Sequence, residues 1–299
     1  MEIVIFGAGS LGSLVGAALA RKHEVTLVGR EDHVAAVRER GLVLEGALED
    51  AVAPRATIDG TGLAADLAVV TVKSYDTSRA AETLASGSFD AALSLQNGMG
   101  NETILADALG EPVLAGTASY GAILREPGVV ECTGVGEIVL GDRRGGGSEV
   151  ADRVGEAFRS AGLETTVSES MPRRLWEKLA VNAAINPVTA LTATENGAVL
   201  EESAADLARE ATRETARLAR AEGVGLSNRE ALAATERVAE ETAANTSSMH
   251  RDVTRGGRTE IDAINGYVLE RASERGLEVP TNRTLAALVR AWERGRGLR

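Results

Sequence analysis

The sequence is poor in cysteine, in aromatic residues and in long apolar runs, and each scarcity excludes a class of protein. The one cysteine, Cys132, cannot form an internal disulfide and leaves no cysteine-based metal site, as in proteins of a reducing cytoplasm. Aromatic residues are 3% of the chain, so the core must consist mainly of Ala, Val, Leu and Ile. No apolar run approaches the roughly 20 residues that span a bilayer, and the start MEIVIFGAGS lacks the features of a signal peptide. We therefore expect a cytoplasmic protein with no membrane partner and no metal.

Basic charge is also scarce, and the formal net charge is −12. Nucleic acid is excluded as an expected partner, because binding phosphates requires a basic face. An acidic excess with few lysines suggests a salt-adapted cytoplasm, in which surface carboxylates keep the protein hydrated. The alternative is a genomic base composition that replaces lysine with arginine.

Lysine is the scarcest charged residue. Arginine supplies 29 of the 32 basic residues, and the three lysines are Lys22, Lys73 and Lys178. Lys178 lies in the apolar helical stretch RRLWEKLAVNAAINPVTAL, residues 173–191. An amine can lose its proton in a partly desolvated site, whereas a guanidinium cannot. This position therefore predicts a chemical role for Lys178, and the alternative is a surface lysine.

The first half of the chain alternates short apolar runs with helical ones, which predicts a parallel α/β sheet. Two further runs, GVVECT and GEIVLGD, are predicted as antiparallel strands with turn residues between them. The predicted strands are 2–6, 24–28, 67–72, 91–95 and 163–167, and the helices are 10–21, 32–40 and 149–161, with a loop at 143–148.

From about residue 170 the spacing of apolar residues is helical almost to the end. The predicted helices are 172–186, 199–222, 228–244, 257–276 and 282–294. Glu and Arg residues at helical spacing between the apolar ones are typical of solvated faces. The sequence thus predicts an α/β domain over 1–168 and an all-helical domain over 169–299.

A glycine motif follows the first predicted strand. Gly7, Gly9 and Gly12 have the G-x-G-x-x-G spacing, and the motif opens a predicted helix. The first glycine permits a tight turn, the second a close approach of a pyrophosphate, and the third close packing of helix and strand. The exposed N–H groups of the helix N-terminus then face the phosphates. We predict a dinucleotide site formed by Gly7, Ala8, Gly9, Ser10, Leu11 and Gly12.

The residue after the second strand bears on the choice of dinucleotide. NAD-specific sites place an acidic residue there to bind the ribose hydroxyls. In this chain the position is Arg30, whose guanidinium suits a 2′-phosphate, and Lys73 follows the strand that ends VVTVK. The sequence favours NADP (NADPH). NAD is the alternative, because Glu31 directly follows Arg30.

Several motifs along nearly the whole chain resemble those of the ketopantoate reductase (2-dehydropantoate 2-reductase) family. They are GAGSLG near the start, TVKSYDT (71–77), LQNGMGNE (95–102), WEKLAVNAAINPVTAL (176–191) and NTSSMHRDVTRGGRTEIDAINGYV (245–268). The resemblance implies a Rossmann domain joined to an all-helical domain, with the active site in the cleft between them. It also implies NADPH-dependent reduction of 2-dehydropantoate to (R)-pantoate, in pantothenate and coenzyme A biosynthesis.

The resemblance also implies roles for individual residues. Lys178 matches the catalytic lysine, and Glu260 of TEID matches the glutamate that assists it. Asn97 matches an asparagine near the nicotinamide and the substrate. The positions that match a substrate-pocket lining are Asn182, Asn186, Asn196, Asn245 and Ser248. KSYDT departs from the commoner family pattern of an aromatic residue and a glutamine after the lysine.

The residue types fit this chemistry on their own terms. A hydride that reaches a keto carbon leaves negative charge on the oxygen, and an ammonium group can protonate or stabilise it. Lys178 and Asn182 lie four positions apart, so they share one helix face, and Asn186 lies one further turn along. Since Pro187 disfavours helical geometry at the residue before it, we expect a helix end or kink at Asn186.

Three functions remain open at this point. The first is ketopantoate reduction, the second is reduction of another branched 2-oxo acid, and the third is a non-catalytic NADP-binding regulatory protein. The alternative for the asparagines and Glu260 is a polar helix surface, and for Ser248 a helix cap. The three histidines have no metal-like spacing. The sequence leaves the protein a monomer or a homodimer.

Overall fold

A computed structural model describes residues 1–110 and 112–299. The chain divides into two compact units. The first comprises residues 1–96 and 101–171, and the second comprises residues 97–100 and 172–299. The first is an α/β unit and the second is helical, so the predicted fold class is confirmed.

The described residues form twelve strands and eleven α-helices. The strands are β1 (Glu2–Phe6), β2 (Glu24–Val28), β3 (Leu42–Gly46), β4 (Asp50–Val52), β5 (Arg55–Thr57), β6 (Ala64–Val70), β7 (Ser88–Ser94), β8 (Val113–Ala118), β9 (Gly121–Glu126), β10 (Val129–Gly134), β11 (Ile138–Asp142) and β12 (Thr165–Val167). The helices are α1 (Ser10–Leu19), α2 (Glu31–Arg40), α3 (Thr77–Leu84), α4 (Asn101–Leu109), α5 (Glu149–Ser160), α6 (Met171–Thr192), α7 (Glu202–Ala221), α8 (Asn228–Glu241), α9 (Ser248–Thr254), α10 (Tyr267–Glu274) and α11 (Pro280–Gly295).

The first unit has two sheets. The larger has eight strands in the order β12-β11-β8-β7-β6-β1-β2-β5, and the smaller has the order β4-β3-β10-β9. Pairing in the larger sheet is parallel except between β8 and β11. The runs GVVECT and GEIVLGD correspond to β10 and β11, which lie in different sheets, and each pairs antiparallel with another strand. The smaller sheet was not predicted, because its strands are short and mostly half-exposed.

Helix α1 is buried on all sides, which explains its almost uninterrupted run of small and apolar residues. It contacts β1 and β2 of the larger sheet, and also β3, β9 and β10 of the smaller one. Helices α3 and α4 pack on the other face of the larger sheet, in a cluster that includes Leu84, Leu105 and Val70. The glycine motif directly follows β1, so it lies at the carboxyl edge of the sheet, where doubly wound folds bind ligands.

Helix α6 is the central helix of the second unit. Its side chains contribute to two apolar clusters, one around Leu179 and Ala183 and the other around Ile185 and Val188. A helix that is apolar on nearly every face is buried in a core. Polar residues on α6 are therefore exceptions that require a reason.

Helix α6 does not end at Asn186, so the predicted helix end at that residue is wrong. The helix continues through Pro187 to Thr192. Proline has no N–H, and the carbonyl of Ala183 therefore loses the donor that residue 187 normally provides. The side chain of Asn265 supplies a replacement, with Nδ2 3.0 Å from the Ala183 oxygen.

The predicted helix 257–276 is wrong in its first part. A short helix, α9, ends at Thr254, and Gly256 has a φ of +64°, a conformation that favours glycine. Helical structure resumes only with a π-helical turn at Asp262–Gly266, followed directly by α10. Between the two helices, the backbone N–H and the hydroxyl of Thr259 both donate to Glu293 Oε1, at 2.8 and 2.6 Å.

The loop Asn97–Gly100 belongs to the second unit, although sequence position places it within the predicted first domain. Gly98 has a φ of +83°, and a Cβ there would lie 2.5 Å from the carbonyl oxygen of Ala263. The N–H of Met99 donates to that oxygen at 3.0 Å. Close backbone approach and this hydrogen bond attach the loop to the helical unit.

Candidate active site

The glycine motif forms a tight turn between β1 and α1. Gly7 has a φ of +115°, and a Cβ on it would lie 2.6 Å from the backbone nitrogen of Val72. A Cβ on Gly12 would lie 2.3 Å from the Gly7 oxygen. The hydroxyl of Thr71 donates to the same oxygen at 2.8 Å. The first and third positions therefore accept no side chain, as the dinucleotide motif requires.

Gly9 is different, because a Cβ on it would meet only the Gly7 oxygen, at 4.0 Å. The space beside Gly9 is thus open, as expected where a pyrophosphate approaches the backbone. No side chain caps the N-terminus of α1, whose first residues are Ser10 and Leu11. Ala8 is buried, and its N–H donates to the carbonyl of Val28 at 2.8 Å, which holds the turn against β2. These residues fit a dinucleotide.

Arg30 and Lys73 lie on opposite sides of this turn. Arg30 is exposed at the carboxyl end of β2 and starts α2, and Lys73 follows the carboxyl end of β6. Both strands pair in parallel with β1, so both residues lie at the same edge of the sheet. Two cationic side chains at this edge suit a phosphate on the adenosine side of a dinucleotide.

The Lys178, Asn182 and Asn186 row occupies one face of α6, at successive helical turns. Lys178 and Asn182 are partly buried, and Asn186 is only 5% exposed. Neither asparagine side chain forms a hydrogen bond with the described residues. Since buried amide groups normally have partners, Asn182 and Asn186 have hydrogen-bonding capacity available for a polar ligand.

The surroundings of Lys178 lower its pKa from 10.5 to about 8. Burial has the larger effect, because it disfavours the charged ammonium form. The negative charge of Glu260 opposes burial and raises the pKa. The result is an amine that is mostly protonated at neutral pH and loses its proton at mildly alkaline pH.

Glu260 is 5% exposed, and its Oε2 accepts a hydrogen bond of 3.2 Å from Asn97 Nδ2. It follows Thr259, which Glu293 holds in place, and Glu293 also pairs with Arg299. The structure thus brings together Asn97, Lys178 and Glu260, three residues that are far apart in the sequence.

Asn196 and Asn245 lie together at a turn after α6. The N–H of Asn196 donates to the Asn245 carbonyl at 2.9 Å, and Asn196 Nδ2 donates to the Thr242 hydroxyl at 3.0 Å. Asn196 Oδ1 is buried and accepts no hydrogen bond from the described residues. The Asn245 side chain is exposed. Asn196 Oδ1 is therefore a buried acceptor, and the Asn245 backbone holds Asn196 in this turn.

Ser248 is the first residue of α9 and not its cap. The cap is Ser247, whose hydroxyl accepts from the N–H of His250 at 3.0 Å. Ser247 Oγ also lies 2.8 Å from Thr189 Oγ1 on α6. Sequence reasoning missed this link, although the doubled serine before a helix is a cap signal. The link places Ser248 beside the helix that carries the Lys–Asn–Asn row.

A buried polar cluster on both flanks of the Asn97 loop was also missed. Gln96 Nε2 donates to the Thr77 hydroxyl at 2.7 Å and to the Val72 carbonyl at 3.0 Å, and the same hydroxyl lies 2.8 Å from Asn101 Oδ1. The signal was present in the sequence, because polar residues occupy both ends of QNGMGN. The cluster fixes the chain on each side of the loop.

Among residues 1–110 and 112–299, no group of three or more His, Cys, Asp or Glu side chains is arranged to hold a metal ion. In the same part of the chain, no helix combines the length and the apolar character needed to cross a bilayer.

The family model "Ketopantoate reductase PanE/ApbA" matches residues 3–145, and "Ketopantoate reductase PanE/ApbA C terminal" matches residues 170–293. A 2-dehydropantoate 2-reductase from Halobacterium salinarum is 43% identical over 98% of this chain and 99% of its own length. The protein of the same name from Pyrococcus horikoshii is 41% identical, with 98% of each chain covered.

Solved structures have the same fold as this chain. A PanE/ApbA family ketopantoate reductase from Ralstonia eutropha is 35% identical, with a TM-score of 0.89 over 99% of this chain and 100% of that one. D-mandelate dehydrogenase, solved with NADH and anilino(oxo)acetate, has a TM-score of 0.92 and 25% identity over 100% of both chains. The two family models, the relatives and the shared architecture together show that this chain belongs to the ketopantoate reductase family.

Proposed function

We propose that the protein reduces 2-dehydropantoate to (R)-pantoate with NADPH, and that Lys178 is the general acid. The observation that carries the proposal is the lowered pKa of Lys178, about 8, beside the buried carboxylate of Glu260. The relatives named 2-dehydropantoate 2-reductase support the substrate. The product would enter pantothenate and coenzyme A biosynthesis.

The nicotinamide, when bound, supplies the hydride that reduces the keto carbon. Lys178 supplies the proton to the keto oxygen, which becomes the hydroxyl of the product. With a pKa of about 8, roughly nine in ten Lys178 side chains carry this proton at pH 7. A general acid works best when its pKa lies near the working pH, because it is then both protonated and ready to donate.

Glu260 and Asn97 keep the acid functional. Burial alone would lower the Lys178 pKa further, and the charge of Glu260 limits this decrease. The hydrogen bond from Asn97 holds one oxygen of Glu260, which limits the rotation of the carboxylate. Asn97 is also the residue expected beside the nicotinamide and the substrate.

The remaining polar groups would recognise the substrate. Asn182 and Asn186 provide amide donors and acceptors on the Lys178 face, and the buried Asn196 amide would support the wall of the pocket. Ser248 lies beside α6 and would contact the carboxylate. Asn245 would shape this wall through its backbone bond to Asn196.

The cofactor preference rests on the first unit. Arg30 and Lys73 would bind the 2′-phosphate of NADPH, because both are cationic and lie at the carboxyl edge of the strands beside the glycine turn. NADH is the alternative, and the similarity to D-mandelate dehydrogenase solved with NADH supports it.

A second candidate function is the reduction of another branched 2-oxo acid. It is favoured by the same neighbour, which was solved with an oxoacetate, at a TM-score of 0.92. A third possible function is a non-catalytic NADP-binding regulator. The presence of the Lys178 and Glu260 pair argues against it.

A turnover assay separates these functions. Purified protein is incubated with NADPH or NADH and with ketopantoate, 2-oxoisovalerate or phenylglyoxylate, and cofactor oxidation is followed at 340 nm. We expect the highest kcat/KM for NADPH with ketopantoate. A higher value for another 2-oxo acid would support the second function, and absence of turnover with all three acids would support the regulator.

A further inference from the structure

Pro187 creates a local requirement in α6. The carbonyl of Ala183 lies four residues before the proline and is turned into the core, since Ala183 is fully buried. A buried carbonyl without a donor is costly, so another group must replace the missing backbone N–H. The replacement is Asn265, whose Nδ2 lies 3.0 Å from the carbonyl oxygen and whose side chain is fully buried.

The orientation of the Asn265 amide is determined by its neighbours. Its second N–H donates to Asn282 Oδ1 at 2.9 Å. Asn282 Nδ2 in turn donates to Glu214 Oε2 at 2.8 Å and to the Ala211 carbonyl at 3.1 Å. Carboxylate and carbonyl oxygens only accept hydrogen bonds, so the side-chain amides of Asn265 and Asn282 each have one possible orientation. Both side-chain N–H groups of Asn265 therefore donate hydrogen bonds within the core.

Asn265 lies in the π-helical turn that follows Glu260. The turn is closed by a bond from the N–H of Gly266 to the Ile261 carbonyl, five residues earlier, at 2.8 Å. In the same turn, the Ala263 carbonyl accepts from Met99 in the loop that carries Asn97. One short segment thus follows Glu260 directly, attaches the Asn97 loop, and contacts α6 between Asn182 and Asn186.

We infer that Asn265 is a positioning residue, which holds the Pro187 turn of α6 and so directs Lys178, Asn182 and Asn186 toward Glu260. The inference rests on the proposed function, in which Lys178 is the acid. Asn265 touches no reacting atom and acts through the Ala183 carbonyl. Because a displacement of about 1 Å can cost on the order of a hundredfold in rate, one such bond has kinetic consequences.

The first test is Asn265→Leu, which keeps the approximate volume and removes both donors. We expect kcat to fall by roughly ten- to a hundredfold with a smaller change in KM. Thr235→Val is the matched control, because Thr235 is also buried in the second unit and its hydroxyl is bonded to the Ala231 carbonyl and to Thr212. It should lower Tm with kcat within about threefold of wild type. If Asn265→Leu does not fold, Asn265→Ala also removes both side-chain donors, and we expect a kcat loss in the same direction.

The second test is rescue through the backbone. Pro187→Ala restores an N–H that can donate to Ala183, and the carbonyl has lone pairs for both donors. The double variant Pro187→Ala/Asn265→Leu should recover kcat to within about threefold of Pro187→Ala alone. A double variant no faster than Asn265→Leu would overturn the inference, and so would an Asn265→Leu enzyme within threefold of wild type.

A readout that does not depend on turnover separates this inference from the proposed function. The chain has only three lysines, so 13C-lysine labelling gives three side-chain signals to titrate by NMR. We expect Asn265→Leu to shift the Lys178 titration by about half a pH unit or more, and Pro187→Ala to reverse the shift. If these shifts occur and wild type reduces no ketopantoate, the positioning role stands and the proposed function fails. If ketopantoate is reduced and the titration does not move, the function stands and the positioning role fails.

Discussion

Asn97 Nδ2 donates a hydrogen bond of 3.2 Å to Glu260 Oε2, across 163 positions of sequence. The same carboxylate raises the pKa of Lys178 against the larger opposing effect of burial. Glu260 therefore links an amide expected beside the cofactor to the amine expected to donate the proton. Replacing any of the three changes the environment of the other two, and the effects of such replacements should not be additive.

Lys178→Ala should lower kcat by about two to four orders of magnitude, the range for loss of general acid catalysis together with charge stabilisation. Binding of NADPH should change much less, because the glycine turn and Arg30 belong to the first unit. Steady-state kinetics and cofactor titration measure both quantities. Lys22→Ala is the control, since Lys22 is exposed. A Lys178→Ala enzyme within threefold of wild-type turnover would end the assignment.

The pKa of Lys178 also predicts the pH dependence. In the reductive direction the protonated amine is required, so kcat/KM, which reports the free enzyme, should fall as pH rises through about 8. Oxidation of pantoate requires the neutral amine as a base, so its kcat/KM should rise through the same pH. Measuring both profiles with one enzyme preparation tests the assignment, because a general loss of folded protein at high pH would lower both rates.

Glu260→Gln should move both profiles to lower pH. The substitution keeps the shape of the side chain and removes the negative charge that raises the Lys178 pKa, while the effect of burial remains. The variant should therefore reduce ketopantoate more slowly at pH 8 than at pH 6, relative to wild type. A profile that shifts to higher pH, or does not shift, would show that the charge of Glu260 does not act on the group that limits the rate.

The sequence pattern alone was sufficient to predict the positions of the strands and helices around the glycine motif. β1 and β2 have the predicted bounds, because each is a short apolar run bounded by polar or turn residues. The prediction failed at Pro187 and at residues 257–261, where the outcome depends on distant partners. Asn265 allows a helix to pass through proline, and Glu293 holds Thr259 in a non-helical turn.

In the candidate site, too, local features could be predicted from the sequence and contacts between distant residues could not. The spacing of Lys178, Asn182 and Asn186 gave their shared helix face, because helical periodicity is local. The hydrogen bond between Asn97 and Glu260 is not local, and only the resemblance to a family pointed to both residues. The attachment of the Asn97 loop to the helical unit had no clear sequence signal apart from two glycines, Gly98 and Gly100, which both adopt positive φ.

Lys178 should also lower the stability of the folded protein at neutral pH. Its pKa is about 8 in the folded state and about 10.5 when exposed, so the folded state binds the proton more weakly. This cost is fully present below about pH 8 and disappears as pH rises through about 10.5. Lys178→Met, of similar size, should therefore raise the free energy of unfolding by on the order of 2–3 kcal/mol at pH 7.

Denaturant unfolding at pH 7 and at pH 10 measures this stability difference. The advantage of Lys178→Met should shrink at the higher pH, and Lys22→Met should show no advantage at either. Equal stability of Lys178→Met and wild type at pH 7 would mean that the amine is solvated, and the pKa argument for general acid catalysis would then fail.

Arg30→Asp should reverse or weaken the preference for NADPH. The substitution places a negative charge where the 2′-phosphate is expected and offers an acceptor to a ribose hydroxyl. We expect kcat/KM to fall for NADPH and to rise for NADH relative to it. Arg153→Asp is a matched control with the same charge change, because Arg153 is exposed on α5 in the same unit. A wild type that prefers NADH would show that Arg30 is a surface charge.

Asn186 should distinguish ketopantoate from 2-oxoisovalerate, which lacks the hydroxyl group on one branch. Asn186 is 5% exposed, and its amide has no partner among the described residues, so a substrate hydroxyl can satisfy it. An analogue without the hydroxyl leaves buried polar groups unpaired, at roughly 1–3 kcal/mol for each group. Wild type should therefore prefer ketopantoate by at least about a hundredfold in kcat/KM.

Asn186→Ala should reduce that ratio mainly by slowing ketopantoate, with the rate for 2-oxoisovalerate nearly unchanged, because only ketopantoate loses a hydrogen bond. Kinetics of both substrates with both enzymes give the four values required. If the two substrates slow equally, Asn186 positions the lysine or the cofactor and does not contact the hydroxyl. If wild type reduces both equally well, the pocket does not recognise the hydroxyl, and the enzyme is a broader 2-oxo acid reductase.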